Sequence, residues 1–168
     1  MRALLSFSGQ KGLPMTTIEA TPATRYIRPG TFDSRVFNPI VSGLARLGVS
    51  LFGSRLLEVR GRTSGEWRAV PVNPLQLDGE RYLVAPRGTT QWVKNIRAAG
   101  GGRLRKGRRT EDFSVVEVPD RDKTPILRAY LDKWGFEVGK FFEGVTKDAT
   151  DTELEAIAPG FPVFRITA

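Results

Sequence analysis

The stretch over residues 56–109 constrains the fold more than any other part of the chain, because short strand-like runs alternate there with tight turns. Asp78-Gly79 is a strong signal for a two-residue hairpin loop that joins two of these runs. Thr90 can cap a short helix over residues 91–99, and the glycines at positions 100–102 end it. The predicted strands of this stretch cover residues 55–61, 66–77 and 80–85.

The C-terminal third continues this mixture of strands and helices. Two further strands meet near Gly107, a helix covers residues 122–136, and a closing strand covers residues 161–167. Asp151 or Thr152 caps a short helix between the last two elements. About six antiparallel strands with inserted helices predict an α+β fold, a small barrel with helices on its rim. No regular βαβ alternation and no GxGxxG or GxxxxGK fingerprint is present, so a Rossmann fold is disfavoured.

The N-terminal part is predicted to differ from the rest. Residues 1–30 are rich in Thr, Pro and Gly, so we expect a flexible segment, with 1–14 as an extension ahead of Met15. Residues 31–168 then form one domain. Its first helix, over residues 32–52, packs its apolar face on the core or, alternatively, contacts a membrane surface. Without a membrane-length apolar run or a secretory signal, we expect a cytoplasmic protein, with membrane association through this helix as the alternative.

The positive charge is concentrated in one segment. Residues 41–110 contain 14 Lys+Arg against 4 Asp+Glu, whereas the whole chain has 26 against 18 and a net charge of +8. Such localisation favours a site for an anionic ligand. The absence of Cys and His excludes disulfides, the Ser-His-Asp triad and the usual zinc ligands, and we expect no metal site. An enzyme of this composition must use another acid/base or take its chemistry from a cofactor.

Arginines and hydroxyl groups gather at the turn after the first strand. Arg60, Arg62 and Arg68 offer planar guanidinium groups suited to phosphate or carboxylate. Thr63 and Ser64 add hydroxyls, and the glycines of the turn let the backbone approach a ligand. The pattern favours binding of a phosphate or polyanion, with a solvated turn as the alternative.

A second group lies where the strand over residues 80–85 leads into the short helix. Unpaired N–H groups and the helix dipole favour anions at a helix N-terminus. Trp92 and Asn95 are three residues apart and share a helix face. Trp92 is alternatively a core residue, and Lys94 is alternatively a solvated charge.

A third cluster of cations follows the short helix. Net positive charge invites nucleic-acid binding, but no aromatic residue lies among these cations to stack on bases. We therefore expect no nucleic-acid partner and interpret the cluster as a solvated hairpin. The cluster consists of Arg103, Arg105, Lys106, Arg108 and Arg109.

Three motifs occur together in an order that is similar to a known family. L-E-V-x-G-R-x-S-G-x-x-R-x-x-P-V covers residues 57–72, D-G-x-x-Y-L-V-A covers 78–85, and W-x-x-N-x-x-A covers 92–98. With A-I-A-P-G-F-P-V-F-R-I near the C-terminus, they resemble the deazaflavin-dependent nitroreductase family of actinobacteria over about residues 37–166. The resemblance implies a split β-barrel that binds coenzyme F420, an 8-hydroxy-5-deazaflavin with a phosphate and a polyglutamate tail. FMN is the alternative cofactor, because split barrels accommodate both.

The reaction implied by the resemblance is hydride transfer from C5 of the reduced coenzyme to an electron-poor acceptor, such as a quinone, an enone or a nitro compound. The phosphate and tail would be held by Arg60, Arg62, Thr63, Ser64 and Arg68. The ring system would pack on Val70, Pro71 and Val72, its edge would meet backbone groups of Ala85, Arg87 and Gly88, and the helix would close the site with Trp92, Lys94 and Asn95.

The chain departs from the family at residues 86–90, where many members have a small, Ser- and Gly-rich loop. Arg87 there adds a charge contact or narrows the acceptor pocket. Tyr130 resembles a tyrosine that family members place on the following helix, so it is a candidate proton donor or, alternatively, a packed core residue. Monomers and homodimers are both expected for such barrels. A binding protein without turnover, for a lipid, a quinone or a membrane surface, is the alternative function.

Overall fold

The computed structural model describes Tyr26 and residues 53–168. The predicted flexible segment, apart from Tyr26, and the predicted helix over residues 32–52 lie outside the described residues. None of the helices in the described ranges combines the length and the apolar character that a membrane crossing requires.

Seven strands form one curled antiparallel sheet in the described part of the chain, in the order β2-β1-β5-β6-β7-β4-β3. Every neighbouring pair is antiparallel. The architecture is the predicted α+β class, a split-barrel-like sheet with a few helices. The strands are β1 Arg55–Arg60, β2 Trp67–Val72, β3 Leu75–Leu77, β4 Glu80–Val84, β5 Gly101–Lys106, β6 Arg109–Glu117 and β7 Val163–Thr167.

The structure has one strand more than the sequence predicts, because the run over residues 66–77 breaks at Asn73-Pro74. Its first half, β2, pairs with β1, while its second half, β3, pairs with β4 at the opposite edge of the sheet. A proline has no N–H for a strand ladder, so continuous pairing ends there. At this break the chain passes from one edge of the sheet to the other, and Asn73 directly follows β2.

Three α-helices accompany the sheet in the described ranges: α1 Gln91–Ala99, α2 Thr124–Val138 and α3 Asp151–Ile157. Helix α1 ends where Gly100 adopts a left-handed conformation (φ 72°) and its N–H bonds Ile96 O. The other two predicted helix-ending glycines instead begin β5. A Cβ on Gly102 would lie 2.6 Å from Glu58 O, so glycine there permits the close approach of β5 to β1.

The cap of α3 also differs from the prediction. Thr150, rather than Asp151 or Thr152, is the N-cap residue, and its Oγ1 accepts the Glu153 N–H at 3.3 Å. The Thr150 N–H in turn donates to Glu153 Oε2 at 2.7 Å, which completes a capping box and lowers the pKa of the Glu153 carboxyl. A reciprocal pair satisfies two backbone donors, whereas a cap at Asp151 would satisfy one.

Two apolar clusters hold the helices on the sheet. Val93 and Ile96 of α1 pack with Leu57 and Val59 of β1. Helix α2 packs on the β3–β4 side through its predicted inner face, every residue of which is buried. That face consists of Ile126, Leu127, Tyr130, Leu131 and Trp134. The two helices thus flank the curled sheet and leave a cleft between β2, the loop before α1 and the end of α2.

Candidate active site

A cavity of about 1030 Å³ occupies this cleft. It is bounded by β2, the turn between β1 and β2, the loop between β4 and α1, and the last turns of α2. Its size suits a cofactor together with a small molecule. The predicted site residues that line it are Arg62, Thr63, Ser64, Arg68, Val70, Pro71, Val72, Ala85, Arg87, Trp92, Asn95 and Tyr130.

The turn between β1 and β2 is closed by its own backbone. Gly61 N–H donates to Glu66 O and Gly65 N–H donates to Gly61 O, both at 2.8 Å. A Cβ at Gly61 would lie 2.8 Å from Ser64 Oγ, and Gly65 has φ 69°. The positive φ therefore favours glycine at position 65, whereas a side chain at position 61 would displace the Ser64 hydroxyl. The exposed Thr63 of this turn lines the cavity.

Asn95 of helix α1 links this turn to the helix by hydrogen bonds. Its side chain, 6% exposed, accepts the Arg62 backbone N–H at 3.3 Å and an Arg62 guanidinium N–H at 2.9 Å. Gln91 Oε1, one turn earlier on α1, accepts the same guanidinium at 3.1 Å. Two amide acceptors without charge orient the arginine, and within the described ranges no carboxylate pairs with it. Asn95 thus positions a cation at the cavity.

Residues of β2 divide between the two faces of the sheet. Arg68 and Val70 pair with Val59 and Leu57, whose side chains lie in the core, and Val72 follows on the same face. Pro71 pairs with Leu56 and therefore alternates with the valines along β2, yet it also lines the cavity. The valines therefore supply the flat apolar wall of the cavity.

Arg60, Gly88 and Lys94 are predicted site residues that do not line the cavity. The Arg60 guanidinium lies 4.2 Å from the centroid of the Trp67 ring and donates to Gly65 O at 2.9 Å. The Arg103 guanidinium lies 3.9 Å from the same centroid. Lys94 is exposed on α1. A contact of these residues with a cofactor stays a prediction, and for Arg60 it would be made outside the cavity.

The loop between β4 and α1 is shaped by Gly88. This residue has φ 76°, donates to Ala85 O at 3.0 Å and accepts the Thr90 N–H at 2.8 Å. Thr90 is the N-cap residue of α1 as predicted, but its hydroxyl makes no capping bond. Within the described residues, the buried Thr90 Oγ1 has no hydrogen-bond partner. Arg87 stacks on Phe141, with 5.7 Å from its guanidinium carbon to the ring centroid.

Tyr130 lies at the base of the cavity and is 2% exposed. Burial raises the pKa of its phenol, and the Glu137 carboxylate raises it further. The phenol therefore stays protonated throughout the neutral range. Tyr130 is packed in the core, as one of the two alternatives had it, and it also borders the cavity. Its role as a proton donor stays a prediction.

Several cavity residues were not predicted from the sequence. Tyr26 forms a β-bridge with Gly88, Asn73 directly follows β2, and the others lie on α2 and the turn after it: Phe136, Glu137, Val138 and Phe141. A helical signal for Glu137 existed, because it lies seven residues after Tyr130 and therefore on the same helix face. No local signal indicates that this face borders β2.

The cationic cluster over residues 103–109 lies on the β5–β6 hairpin, outside this cavity. Arg105 forms an ion pair with the buried Glu58 at 2.9 Å, and Arg103 pairs with Asp112 at 2.9 Å. The sequence interpretation was a solvated hairpin; the cluster does lie on a hairpin, but Arg105 pairs there with a buried carboxylate rather than with solvent alone. These ion pairs leave fewer cations available to a polyanion.

Comparison with protein families gives one match over more than half of the chain. The family described as F420H(2)-dependent quinone reductase matches residues 39–137, which include β1 to β6, α1 and most of α2. The chain belongs to this family. Members are oxidoreductases, so the chain is an enzyme rather than a binding protein without turnover, and coenzyme F420 rather than FMN is its cofactor.

Two solved structures with TM-scores above 0.5 support the fold of this F420-dependent enzyme, and a third is similar at a lower score. A structure described as a domain-swapped dimer is 18% identical, with a TM-score of 0.51 over 71% of this chain and 83% of that one. A protein of unknown function from Agrobacterium tumefaciens is 13% identical, with a TM-score of 0.52 over 84% and 57%. An F420-H2 dependent reductase is 18% identical, with a TM-score of 0.48 over 68% and 94%. No curated protein matches the chain.

The donor set of the cavity fits coenzyme F420. Phosphate and carboxylate groups need cationic and hydroxyl partners, and Arg62, Arg68 and Thr63 lie together at one end. A buried hydroxyl without a partner costs about 1–3 kcal/mol, so Thr90 Oγ1 offers a further donor to a bound polar group. The valines of β2 provide an apolar wall suited to a flat ring system.

Proposed function

We propose that this enzyme reduces a small electron-poor acceptor, a quinone, an enone or a nitro compound, with coenzyme F420 as the hydride donor. The observation that carries the proposal is one continuous cavity that joins a cationic end, an apolar wall and a protonated phenol. Each part answers one requirement of such a reaction: holding an anionic cofactor, stacking a flat ring, and supplying a proton to the reduced acceptor.

The cationic end would hold the phosphate and the tail of the cofactor. Arg62 and Arg68 would bind its negative oxygens, and the Thr63 and Ser64 hydroxyls would complete their hydrogen bonds. Val70 and Val72 would pack on the ring system, and Trp92, which packs at 5.9 Å on Phe164, would limit the space on the α1 side. Backbone groups of Ala85 and Arg87 would border the ring edge.

The chemistry divides between cofactor and protein. When bound, reduced coenzyme F420 supplies a hydride from its C5 atom. Tyr130 holds a proton at the base of the cavity over the whole neutral range, and it would donate this proton to the oxygen that becomes negative on the acceptor. The buried apolar side chains around Tyr130 exclude water from this proton transfer.

Two expectations from the sequence extend the proposal. Residues 31–168 would form the cofactor-binding domain, and a small-molecule acceptor would be its main partner. The chain would act as a monomer or a homodimer, and one similar structure is described as a domain-swapped dimer. Sedimentation analysis at several protein concentrations distinguishes these two states.

Titration with the purified cofactor tests the proposal. Oxidised coenzyme F420 should quench the fluorescence of the tryptophans and bind with a dissociation constant near or below about 10 μM. Reduced coenzyme F420 should be reoxidised when a quinone, an enone or a nitroaromatic compound is added. Absence of binding at several tens of micromolar would contradict cofactor binding by this cavity. Binding without reoxidation by any of the three acceptor classes would contradict the proposed acceptors.

A further inference from the structure

The two ends of the cavity differ in charge and are separated by the length of β2. Arg68 is the second residue of β2, and Asn73 directly follows its last residue. Both line the cavity. Five residues of extended chain span about 16 Å, so the Asn73 end lies far from the arginine that would hold the cofactor phosphate.

A carboxylate marks the Asn73 end. Glu137, in the last turn of α2, accepts a hydrogen bond from Asn73 Nδ2 at its Oε2 at 3.2 Å. Among the described residues that line the cavity, Glu137 is the acidic one, whereas the cationic ones are Arg62, Arg68 and Arg87. The hydrogen bond fixes the carboxylate at the edge of the cavity without neutralising its charge.

The cations nearest to this end differ in their access to the cavity: Arg87 lines it, with its guanidinium carbon 5.7 Å from the Phe141 ring centroid, whereas two lysines on α2 and just after it do not. Lys133 lies 5.3 Å from the Trp134 ring centroid, and Lys140 lies 5.1 Å from the Phe141 centroid. Neither lysine lines the cavity. Burial raises the pKa of Tyr130 and the Glu137 carboxylate raises it further, so the two groups lie within electrostatic reach of each other.

We propose that Glu137, held by Asn73, is a specificity-determining residue that excludes anionic acceptors from the Tyr130 end of the cavity. The inference rests on the proposed function, because the Tyr130 end would receive the acceptor once the cofactor tail occupies the cationic end. Glu137 lies two helical turns after Tyr130, about 10 Å along α2. At the intermediate dielectric constant of a partly exposed site, its repulsion of a negatively charged acceptor near Tyr130 still exceeds thermal energy over that distance. Uncharged quinones, enones and nitro compounds escape this repulsion.

The test compares a pair of acceptors that differ by one charge. A neutral naphthoquinone and its sulfonate are titrated into the complex with oxidised coenzyme F420, where no turnover occurs, and binding is followed by protein fluorescence. Wild type should prefer the neutral compound. Glu137→Gln should raise the affinity for the sulfonate about fivefold and leave that for the neutral compound within about twofold, and the difference should shrink with added salt.

Glu155→Gln is the matched control, because Glu155 is an exposed glutamate on α3 that does not line this cavity. It should change neither affinity. If Glu137→Gln alters both affinities equally, or neither, while wild type binds the neutral quinone, the selectivity is overturned and the proposed function stands. If wild type binds neither quinone and reduces neither, both the selectivity and the proposed acceptor class are overturned.

Discussion

Asn95 Oδ1 accepts hydrogen bonds from two donors of one residue, the backbone N–H of Arg62 at 3.3 Å and its guanidinium at 2.9 Å. The two residues are 33 positions apart in the chain. Their contact joins the turn after β1 to helix α1, which are the two elements that border the cationic end of the cavity. The buried amide thus positions a charged residue that has no acidic partner among the described residues.

Substitution of Asn95 should separate positioning from charge. Asn95→Ala removes both bonds, and at about 0.5–1.5 kcal/mol each this should lower the melting temperature by several degrees and weaken coenzyme F420 binding about tenfold. Asn95→Asp keeps the acceptor but adds a carboxylate beside Arg62. It should retain most of the stability and still weaken binding, because the cation is then neutralised. Thermal unfolding and fluorescence titration measure the two effects, and equal losses in both variants would contradict the positioning role.

The two arginines of the cationic end should respond differently to removal. In the described part of the chain, the Arg68 side chain makes no ion pair or hydrogen bond, so Arg68→Gln should leave the melting temperature unchanged. It should weaken coenzyme F420 binding about tenfold at low salt, which is the value of one charge-assisted hydrogen bond. Arg62→Gln should weaken binding and also lower stability, since it loses the bonds to Asn95 and Gln91.

Arg108→Gln provides the control for both variants, because it removes one exposed cation of the β5–β6 hairpin outside the cavity. Its effect on cofactor affinity should be within about twofold and should disappear with added salt. An effect of Arg108→Gln as large as that of Arg68→Gln would mean that net charge, rather than the cavity, governs binding.

Removal of the Tyr130 hydroxyl should lower turnover without lowering the affinity for the acceptor. Tyr130→Phe keeps the packing of the buried ring, so kcat should fall about 10²-fold or more while KM changes little, as expected for loss of a general acid. Tyr82→Phe, a change of the same kind at a tyrosine that does not line the cavity, is the matched control. Equal kcat values for Tyr130→Phe and wild type would remove Tyr130 from the proton transfer.

The same residue predicts a pH dependence of stability. Its folded pKa is raised above the ordinary value of 10.0, by burial first and by Glu137 second. The contribution to stability is therefore fully present below pH 10.0 and is lost as the pH rises above it. Of the three tyrosines, Tyr130 should give its near-ultraviolet tyrosinate signal only when the protein unfolds. Tyr130→Phe should abolish this late step of the titration.

The two arginines that lie over the Trp67 ring should contribute to stability but little to cofactor binding. Arg60 and Arg103 lie 4.2 Å and 3.9 Å from the ring centroid, and each exposed cation–π contact is worth about 0.5–1 kcal/mol. Arg60→Gln should therefore lower the free energy of unfolding by about that amount and change coenzyme F420 affinity less than Arg68→Gln does. A larger loss of affinity than for Arg68→Gln would place Arg60 on the cofactor tail, as the family resemblance implies.

Short sequence patterns correctly predicted the features of the fold that depend only on neighbouring residues. Asp78-Gly79 forms the expected hairpin because both residues take positive φ angles, 51° and 80°, and this preference is encoded in two adjacent residues. The break at Asn73-Pro74 was missed, since the two halves of that run separate only when each pairs with a different, distant strand. Arg60 is an intermediate case. Side chains alternate along β1, so Arg60 and Val59 lie on opposite faces of the sheet, and this alternation could have placed Arg60 outside the cavity.

Cavity residues of α2 depend on tertiary packing in the same way. The apolar spacing from Ile126 to Trp134 correctly predicts the buried face, because helical periodicity is a property of the segment. Glu137 continues that face past its buried part and becomes a cavity residue only because Asn73 and the end of β2 lie opposite. Charge at such a position carries no local signal that distinguishes it from an ordinary solvent-exposed glutamate.

Glycine substitutions in β5 and α2 should have opposite signs. A Cβ on Gly102 would lie 2.6 Å from the backbone oxygen of Glu58, so Gly102→Ala must push β5 away from β1. The expected cost is about 1–3 kcal/mol, as for overpacking in a close-packed interior. Gly135 lies inside α2, where an added Cβ meets nothing within 4 Å. Gly135→Ala should stabilise the protein by about 0.5–1 kcal/mol, because alanine loses less backbone entropy in a helix. Chemical unfolding of both variants measures the two changes, and a stabilising or neutral Gly102→Ala would show that β1 and β5 do not need a glycine at this close approach.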